Sequence, residues 1–431
     1  MDGATGAHQR AERAAAGAAD RLNLIRVMPA QGGWSAAARR EERHMANHNR
    51  NYDAIFVGAG VIGLASAWRA ARRGERICVL ERDHPAAGAT GVAAGMLAPV
   101  GEASWGEETL LALNQESLRR WPGFAAELEA DSDSDVEFAE RGALHVALDR
   151  DETEELQRRY ELHRSLGLDS EWLRGRDCRA LEPGLSTAVR GGALVAGEAS
   201  VDPRRLAAAL LSALERRGVE MHSGAEVVRA ERRAGGWRLE TADARSFDAR
   251  VVVVTSGCWS GLAAWLHAEL RPPVRPVKGE ILTLRGDPSE PVCERIVAGE
   301  RVYMVPRADG RLIVGATVEE RGFDTTVTAG GIHELLREAY RLIPEIAELE
   351  LAETSAGLRP GTPDNAPVIG PSATEGLLIA TGHYRNGVLQ APVTAECVAA
   401  LISGESPPVD LEPFSGARFA ADKVERPVEV R

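Results

Sequence analysis

Gly58, Gly60 and Gly63 punctuate the run Tyr52-Asp53-Ala54-Ile55-Phe56-Val57-Gly58-Ala59-Gly60-Val61-Ile62-Gly63, and Glu81 follows Gly58 by 23 residues. Glycines at this spacing let backbone amides close on a pyrophosphate, while the positive end of the following helix faces the anion. A carboxylate about 20 residues further on is placed to accept hydrogen bonds from ribose hydroxyls. An acid there favours an unphosphorylated ribose, as in FAD or NAD, over NADP.

Such chemistry needs particular elements to position it. Tyr52–Val57 reads as a strand, the alanine-rich stretch after Val61 as a helix, and Ile77–Leu80 as a second strand that delivers Glu81. A second cluster, Gly88-Ala89-Thr90-Gly91-Val92-Ala93-Ala94-Gly95-Met96-Leu97-Ala98-Pro99, begins seven residues after Glu81. Small residues let main chain pass close to a flat or extended ligand. An NAD domain would resume with a helix here, whereas the longer FAD needs backbone to follow it from pyrophosphate to ring. A flexible surface loop is the other reading of this stretch.

The 431 residues suffice for two or three domains, and 44% hydrophobic with 27% charged content is that of an ordinary globular protein. A net charge of −13 argues against a nucleic-acid partner. The five cysteines, Cys78, Cys178, Cys258, Cys293 and Cys397, are scattered, with no CxxC or zinc spacing. Reduced thiols in a cytoplasmic protein without a metal site are therefore expected. No apolar run approaches the ~18–20 residues of a membrane span. Residues 1–50 have no sustained apolar face. Residues 1–44 are expected to be a disordered extension without function, or an overlong start with Met45 as initiator.

Further along, Leu110–Leu128 has helical spacing with Trp121–Pro122 as a break, and Asp149–Gly167 reads as a solvated surface helix. Asp202–Pro203 should cap a helix over Leu206–Arg217, followed by a strand at Gly218–Ser223. The valine run Arg250–Thr255 suits a strand buried on both faces. Arg275–Leu284, Val302–Pro306 and Leu312–Thr317 look antiparallel, with a turn at Ala308-Asp309-Gly310. Ile332–Ile343 and Ala391–Ile402 read as helices, and Gly376–Thr381 as a short strand. The expected fold class is α/β. A Rossmann-like FAD-binding domain from residues 51–135, 196–266 and 353–420 is interleaved with a mostly antiparallel α+β substrate domain from 136–195 and 267–352.

Several motifs together resemble the FAD-dependent amino-acid oxidases, most closely the glycine oxidases of bacterial thiamine biosynthesis. They are Gly58–Gly63, Ala94-Gly95-Met96-Leu97, Thr255-Ser256-Gly257-Cys258-Trp259-Ser260-Gly261 and Pro276-Val277-Lys278-Gly279-Glu280. Tyr303-Met304-Val305-Pro306-Arg307, Gly357-Leu358-Arg359-Pro360-Gly361-Thr362-Pro363-Asp364 and Gly382-His383-Tyr384-Arg385-Asn386-Gly387 complete the set. The resemblance runs from about Tyr52 to Phe414. It implies a glutathione-reductase-type FAD fold and oxidation of glycine or another small amine by hydride transfer. O2 would be reduced to H2O2, and the imine would hydrolyse to glyoxylate and ammonia. It also implies a homotetramer and a functional link to thiazole synthase. A D-amino-acid or sarcosine-type oxidase or dehydrogenase, and a non-catalytic FAD-binding subunit of a complex, remain the other readings.

The resemblance assigns roles to individual residues. Arg359 is the carboxylate clamp, since a planar guanidinium grips a carboxylate with two parallel hydrogen bonds; a bracing structural arginine is the plain alternative. Tyr303 is the active-site tyrosine, or else a core residue. Cofactor contacts fall to Gly58, Gly60, Val61, Ile62, Gly63, Glu81, Arg82, Thr90, Ala94, Gly95, Met96 and Val227. The loop His383, Tyr384, Arg385, Asn386, Gly387, Val388 and Leu389, with the helix after it, would lie where negative charge develops on the flavin. For His383 and Arg385, function and ordinary loop structure stand side by side. Arg385 is counted with the catalytic groups, as a second positive charge near the flavin or as a contact to the substrate edge. Lys278 reads as a surface or hinge lysine rather than a cation at the flavin. Relatives with covalent FAD carry a cysteine where this chain has Gly357, so a non-covalent cofactor is expected.

Overall fold

The computed structural model describes residues 51–419, and the expected extension, residues 1–50, lies outside them. Strands and helices are numbered in chain order. At the centre of the first sheet, β1 (Asn51–Val57) runs parallel to β2 (Ile77–Leu80) on one side and β11 (Ser246–Val254) on the other. Two more parallel strands extend it, β8 (Glu220–His222) beside β2 and β18 (Leu377–Thr381) beside β11. Antiparallel pieces finish the edges: β17 (Val368–Pro371) on β18, and the hairpin β9 (Val227–Arg233) and β10 (Gly236–Thr241) on the first half of β11.

Alternation of side chains explains why the central strands of this sheet, β1 and the end of β11, are apolar on both faces. Ala54, Phe56, Val251 and Val253 pack under the helices α1 (Val61–Arg72), α2 (Glu108–Ser132), α5 (Pro203–Arg216) and α7 (Ala391–Ile402). Ile55, Val57, Val252 and Val254 face the opposite layer with Trp237, Leu239 and Leu266. The valine run is thus buried on both faces, as its composition requires. Asp202 caps α5 by accepting from Arg204 N at 2.8 Å and Arg205 N at 3.2 Å, with Pro203 in the first turn.

The expected break at Pro122 is absent, because α2 is one helix with Pro122 inside it. Proline removes a single backbone donor there. Tertiary packing outweighs that loss: Trp121 is fully buried with Nε1 donating to Leu389 O at 2.9 Å, and Phe124 and Leu128 pack in the same core.

The second sheet runs β16 (Glu350–Gly361), β12 (Arg275–Arg285), β15 (Arg311–Gly315), β14 (Tyr303–Pro306), β13 (Ile296–Ala298), β4 (Ala143–Ala147), β6 (Gly191–Val195), β5 (Glu171–Arg174). All neighbours are antiparallel except β13 and β4. A two-stranded ribbon, β3 (Met96–Leu97) with β7 (Ala199–Ser200), lies apart from both sheets. Helix α6 (Ala329–Leu342) covers one face through Leu335, Ala339 and Leu342 against Leu282, Met304 and Val314. Helices α3 (Arg150–Ser165) and α4 (Gly175–Leu181) pack on β4 and β6. The other face carries Ile281, Tyr303, Val305 and Ile313 toward Val92, Ala94 and Met96. Glu350–Gly361, a segment that the sequence divides between the two expected domains, is a single strand of this sheet.

Lys278 is not at the surface. It is fully buried in β12, its Nζ 2.8 Å from Glu280 Oε1 and 3.5 Å from Glu319 Oε1. The carboxylates hold its pKa above the ordinary lysine value although burial opposes this. Glu280 also accepts from Thr328 N and Oγ1, both at 3.1 Å, and so ties the start of α6 to β12. Removing the ammonium strands a buried carboxylate. Lys278→Met is therefore expected to lose about 3–5 kcal/mol in urea unfolding. A loss near the ~0.5 kcal/mol of a surface substitution would refute the pairing.

Candidate active site

The turn from β1 into α1 begins with Gly58 at φ +113°, a conformation that side chains resist. A Cβ on Gly58 would stand 2.6 Å from Thr255 O, and one on Gly63 would meet Gly58 O and, at 2.7 Å, Thr255 Oγ1. Bare glycine is what allows α1 to seat against the ends of β1 and β11. Thr255 Oγ1 bonds Val57 O at 3.1 Å and Gly58 O at 2.8 Å, locking the three segments together.

Glu81 accepts from Ala59 N at 2.8 Å and Asp83 N at 3.0 Å, so its carboxylate fixes the glycine turn from the end of β2. Arg82 is exposed, its guanidinium 4.0 Å from the Trp259 ring centroid. The second glycine cluster is no loose surface loop. Thr90 Oγ1 accepts from Val61 N at 3.0 Å at the start of α1, Gly95 O accepts from Val201 N at 2.9 Å, and Arg307 Nη2 donates to Ala94 O. Arg307 itself is buried, and burial pushes its pKa down.

These parts wall one cavity of about 1470 Å³, larger than the ~300–1,000 Å³ of ordinary small-ligand pockets. It runs from Gly58, Glu81 and Val227 past Ala94 and Met96 to Tyr303, Arg359 and Arg385. An extended dinucleotide fits that shape: a glycine turn and helix start at one end, a row of small residues along the wall, and polar groups at the other. Gly63, Asn386 and Leu389 do not line it. Gly63 acts through packing, Asn386 O accepts from Gln390 N at 2.7 Å, and Leu389 O accepts from Ser117 Oγ at 2.6 Å.

Arg359 lies on β16, not in a loop. It stands opposite Val277 of β12, and its guanidinium lies over Gly279, where any Cβ would collide with it. Nη1 donates to Thr317 O at 3.1 Å and Lys278 O at 3.3 Å. Those bonds aim the head group, and both use one nitrogen. Tyr303, the first residue of β14, sits opposite Gly315, whose missing Cβ leaves room for the ring. Burial pushes its phenol up, with the Arg359 charge pulling the other way. Arg385 is exposed and stacks 5.1 Å from the Tyr384 ring, and Tyr384 N donates to Pro360 O at 3.0 Å. That bond joins the loop 383–389 to β16.

His383 is buried, with Nε2 3.1 Å from Thr394 Oγ1 of α7, and burial pushes its pKa down to about 3. It is a neutral tie between loop and helix. Sequence reasoning missed Glu102, His145 and Glu198, which all line the same cavity. The available signals were an acid within a small-residue loop just after Met96, and another, Glu198, beside the short apolar ribbon strand.

The family model for FAD dependent oxidoreductases of the DAO type matches residues 53–401. The glycine oxidase of Geobacillus kaustophilus strain HTA426 is 35% identical over 370 residues, which are 85% of this chain and 97% of that one. A bifunctional protein ThiO/ThiG of Trichormus variabilis is also 35% identical over 370 residues, 85% of this chain but 55% of its own length. The crystal structure of glycine oxidase from Geobacillus kaustophilus superposes with a TM-score of 0.80 at 34% identity, covering 85% of this chain and 98% of that one. The chain therefore belongs to the DAO family of FAD-dependent oxidoreductases, and FAD is the cofactor for which its glycine turn and long cavity are shaped.

Proposed function

We propose that this protein oxidises glycine, with glyoxylate, ammonia and H2O2 as products once O2 and water have been consumed. The observation that carries the reading is the convergence of Arg359 and Tyr303 on the cavity that begins at the glycine turn. FAD, when bound, supplies a two-electron acceptor for hydride from the substrate α-carbon. Gly58, Gly60 and the start of α1 would hold its pyrophosphate, and Glu81 its ribose. Cys258 is the thiol lining this cavity among the described residues, and burial pushes it up to about 12. With an inert thiol there and Gly357 in β16, the cofactor is held without a covalent bond.

The chain's own groups act by placement. Arg359 grips the substrate carboxylate with its remaining N–H edge, and the Tyr303 hydroxyl donates beside it. Tyr303 stays protonated as a donor because burial disfavours the phenolate. The substrate ammonium must first give one proton to solvent, so that the nitrogen lone pair is free to form the C=N bond as hydride leaves the α-carbon. His383, Tyr384, Arg385, Gly387 and Val388 of the loop before α7 line the cavity, where their dipoles would meet the negative charge that develops. The likeness to glycine oxidase and to a ThiO/ThiG protein supports a role in making the thiazole of thiamine, alongside thiazole synthase. We further propose a cytoplasmic homotetramer.

Two measurements test this. Gly63→Ala should lower the flavin-to-protein absorbance ratio of the purified protein, because its methyl displaces α1 from Gly58 and Thr255; full retention of flavin would contradict the assigned cradle. Arg359→Ala should cut kcat/KM for glycine at least about 10²-fold, the loss expected for charge-assisted hydrogen bonds. Anaerobic bleaching with glycine, sarcosine, D-alanine and D-proline ranks the substrates. Bleaching by none of them, or normal glycine turnover by the alanine variant, would overturn the proposal.

A further inference from the structure

A short segment at the start of α5 joins the two walls of the cavity from outside. Val201 N donates to Gly95 O at 2.9 Å, and a Cβ on Gly95 would collide with Val201 O and Pro203. Asp202, the cap of α5, accepts from Arg311 Nη2 of β15 at 2.6 Å. Arg204, in the first turn, donates from Nε to Gly91 O at 2.8 Å. Its other two nitrogens fork onto Glu353 of β16, Nη1 to Oε2 at 2.8 Å and Nη2 to Oε1 at 2.6 Å. Ser355 Oγ steadies the same carboxylate, donating to Oε1 at 2.6 Å. Residues 201–204 thus hold the second glycine cluster at Gly91 and Gly95, and the second sheet at β15 and β16.

The cavity lies between those attachments. Val92 and Ala94 of the cluster line it on one side, Gly357 and Arg359 of β16 on the other. Gly91, Arg204 and Glu353 do not line it. The two walls come into contact at Gly357, where a Cβ would stand 3.0 Å from Val92 Cβ. An isolated surface ion pair does little. Here one guanidinium is fixed at three points, by a carboxylate fork and a main-chain carbonyl. The Arg204 hydrogen bonds hold the Glu353 carboxyl down to about 2, so the fork persists through the neutral range. We propose that Arg204 is a positioning residue for hydride transfer, setting the separation between the cofactor wall at 88–96 and Arg359, six residues beyond Glu353 on the same strand. The inference rests on the assignment of Arg359 to the substrate carboxylate. A small displacement of reacting groups slows reaction steeply, while binding at either wall can stay intact.

The test uses the FAD-loaded enzyme with Arg204→Gln and Glu353→Gln. Anaerobic stopped flow gives the rate of flavin reduction at saturating glycine. Perturbation of the flavin absorbance gives the dissociation constant of acetate, and hydrogen exchange reports on the amides of 88–96. A misplacement of about 1 Å can cost about 100-fold, so reduction should slow at least about tenfold in each variant. Exchange across 88–96 should quicken, while flavin content and acetate binding stay near wild type. Dideuterated glycine should slow reduction in the variants at least as much as in wild type, marking hydride transfer as the step observed. The double variant should be no slower than the slower single one, because both side chains act through one fork. Unchanged reduction rates, with or without a lower Tm, overturn the proposal and leave the pair a surface tie. Losses that multiply in the double variant overturn it too, as does acetate binding weakened in step with the rate. Failure of glycine to bleach the wild-type flavin overturns the glycine reading itself, and this inference with it.

Discussion

Where α1 meets the ends of β1 and β11, there is no room for a single methyl group. Gly63 faces Gly58 O and the Thr255 hydroxyl, and the same hydroxyl ties together Val57 and Gly58. Everything at the nucleotide end follows from this close approach. It places the first amides of α1 at the mouth of the glycine turn, where the helix dipole favours a phosphate. It also brings Thr90 within reach of Val61 N, so that the second glycine cluster starts from a fixed point. Glu81, bonded to Ala59 N, closes the turn from the side.

The opposite end of the cavity depends on a different device, buried charge paired with opposite charge or with backbone. Glu280 holds Lys278 and the N-terminus of α6, so β12 cannot slide against the helix that covers it. On the adjoining strand, Arg359 lies over Gly279 and is tied to the carbonyls of Lys278 and Thr317. Arg307 reaches across to Ala94 O, and Glu198 to the amides of loop 98–104. Buried polar groups of this kind are costly unless satisfied, and once satisfied they allow little alternative geometry. The two ends are thus held at a set distance from one another.

Much of the framework was legible from local pattern. The helix Ala391–Ile402, the capped helix after Asp202 and the valine strand stand where their residues indicate, because each signal is a short-range preference reinforced by burial. Pro122 misled because a local preference was weighed without the core that Trp121, Phe124 and Leu128 form. Lys278 misled because lysine is rarely buried, and its two carboxylate partners lie on segments whose meeting requires the fold. Glu102, His145 and Glu198 went unnoticed for a similar reason: they are separated by tens of residues and share a cavity only once β4, the ribbon and loop 98–104 are assembled.

By itself the sequence determined the glycine turn, the acid after the second strand and several of the helices and strands, since glycine spacing, capping and hydrophobic period are written within a few residues of one another. Tertiary structure alone decided which charges face one another. Arg359 became aimed by strand pairing with β12, Arg385 and Glu102 came to line one cavity from two unrelated loops, and Lys278 was paired with carboxylates out of solvent. Coulomb interactions depend on separation in space and on exclusion of water, and neither quantity exists until the chain has packed.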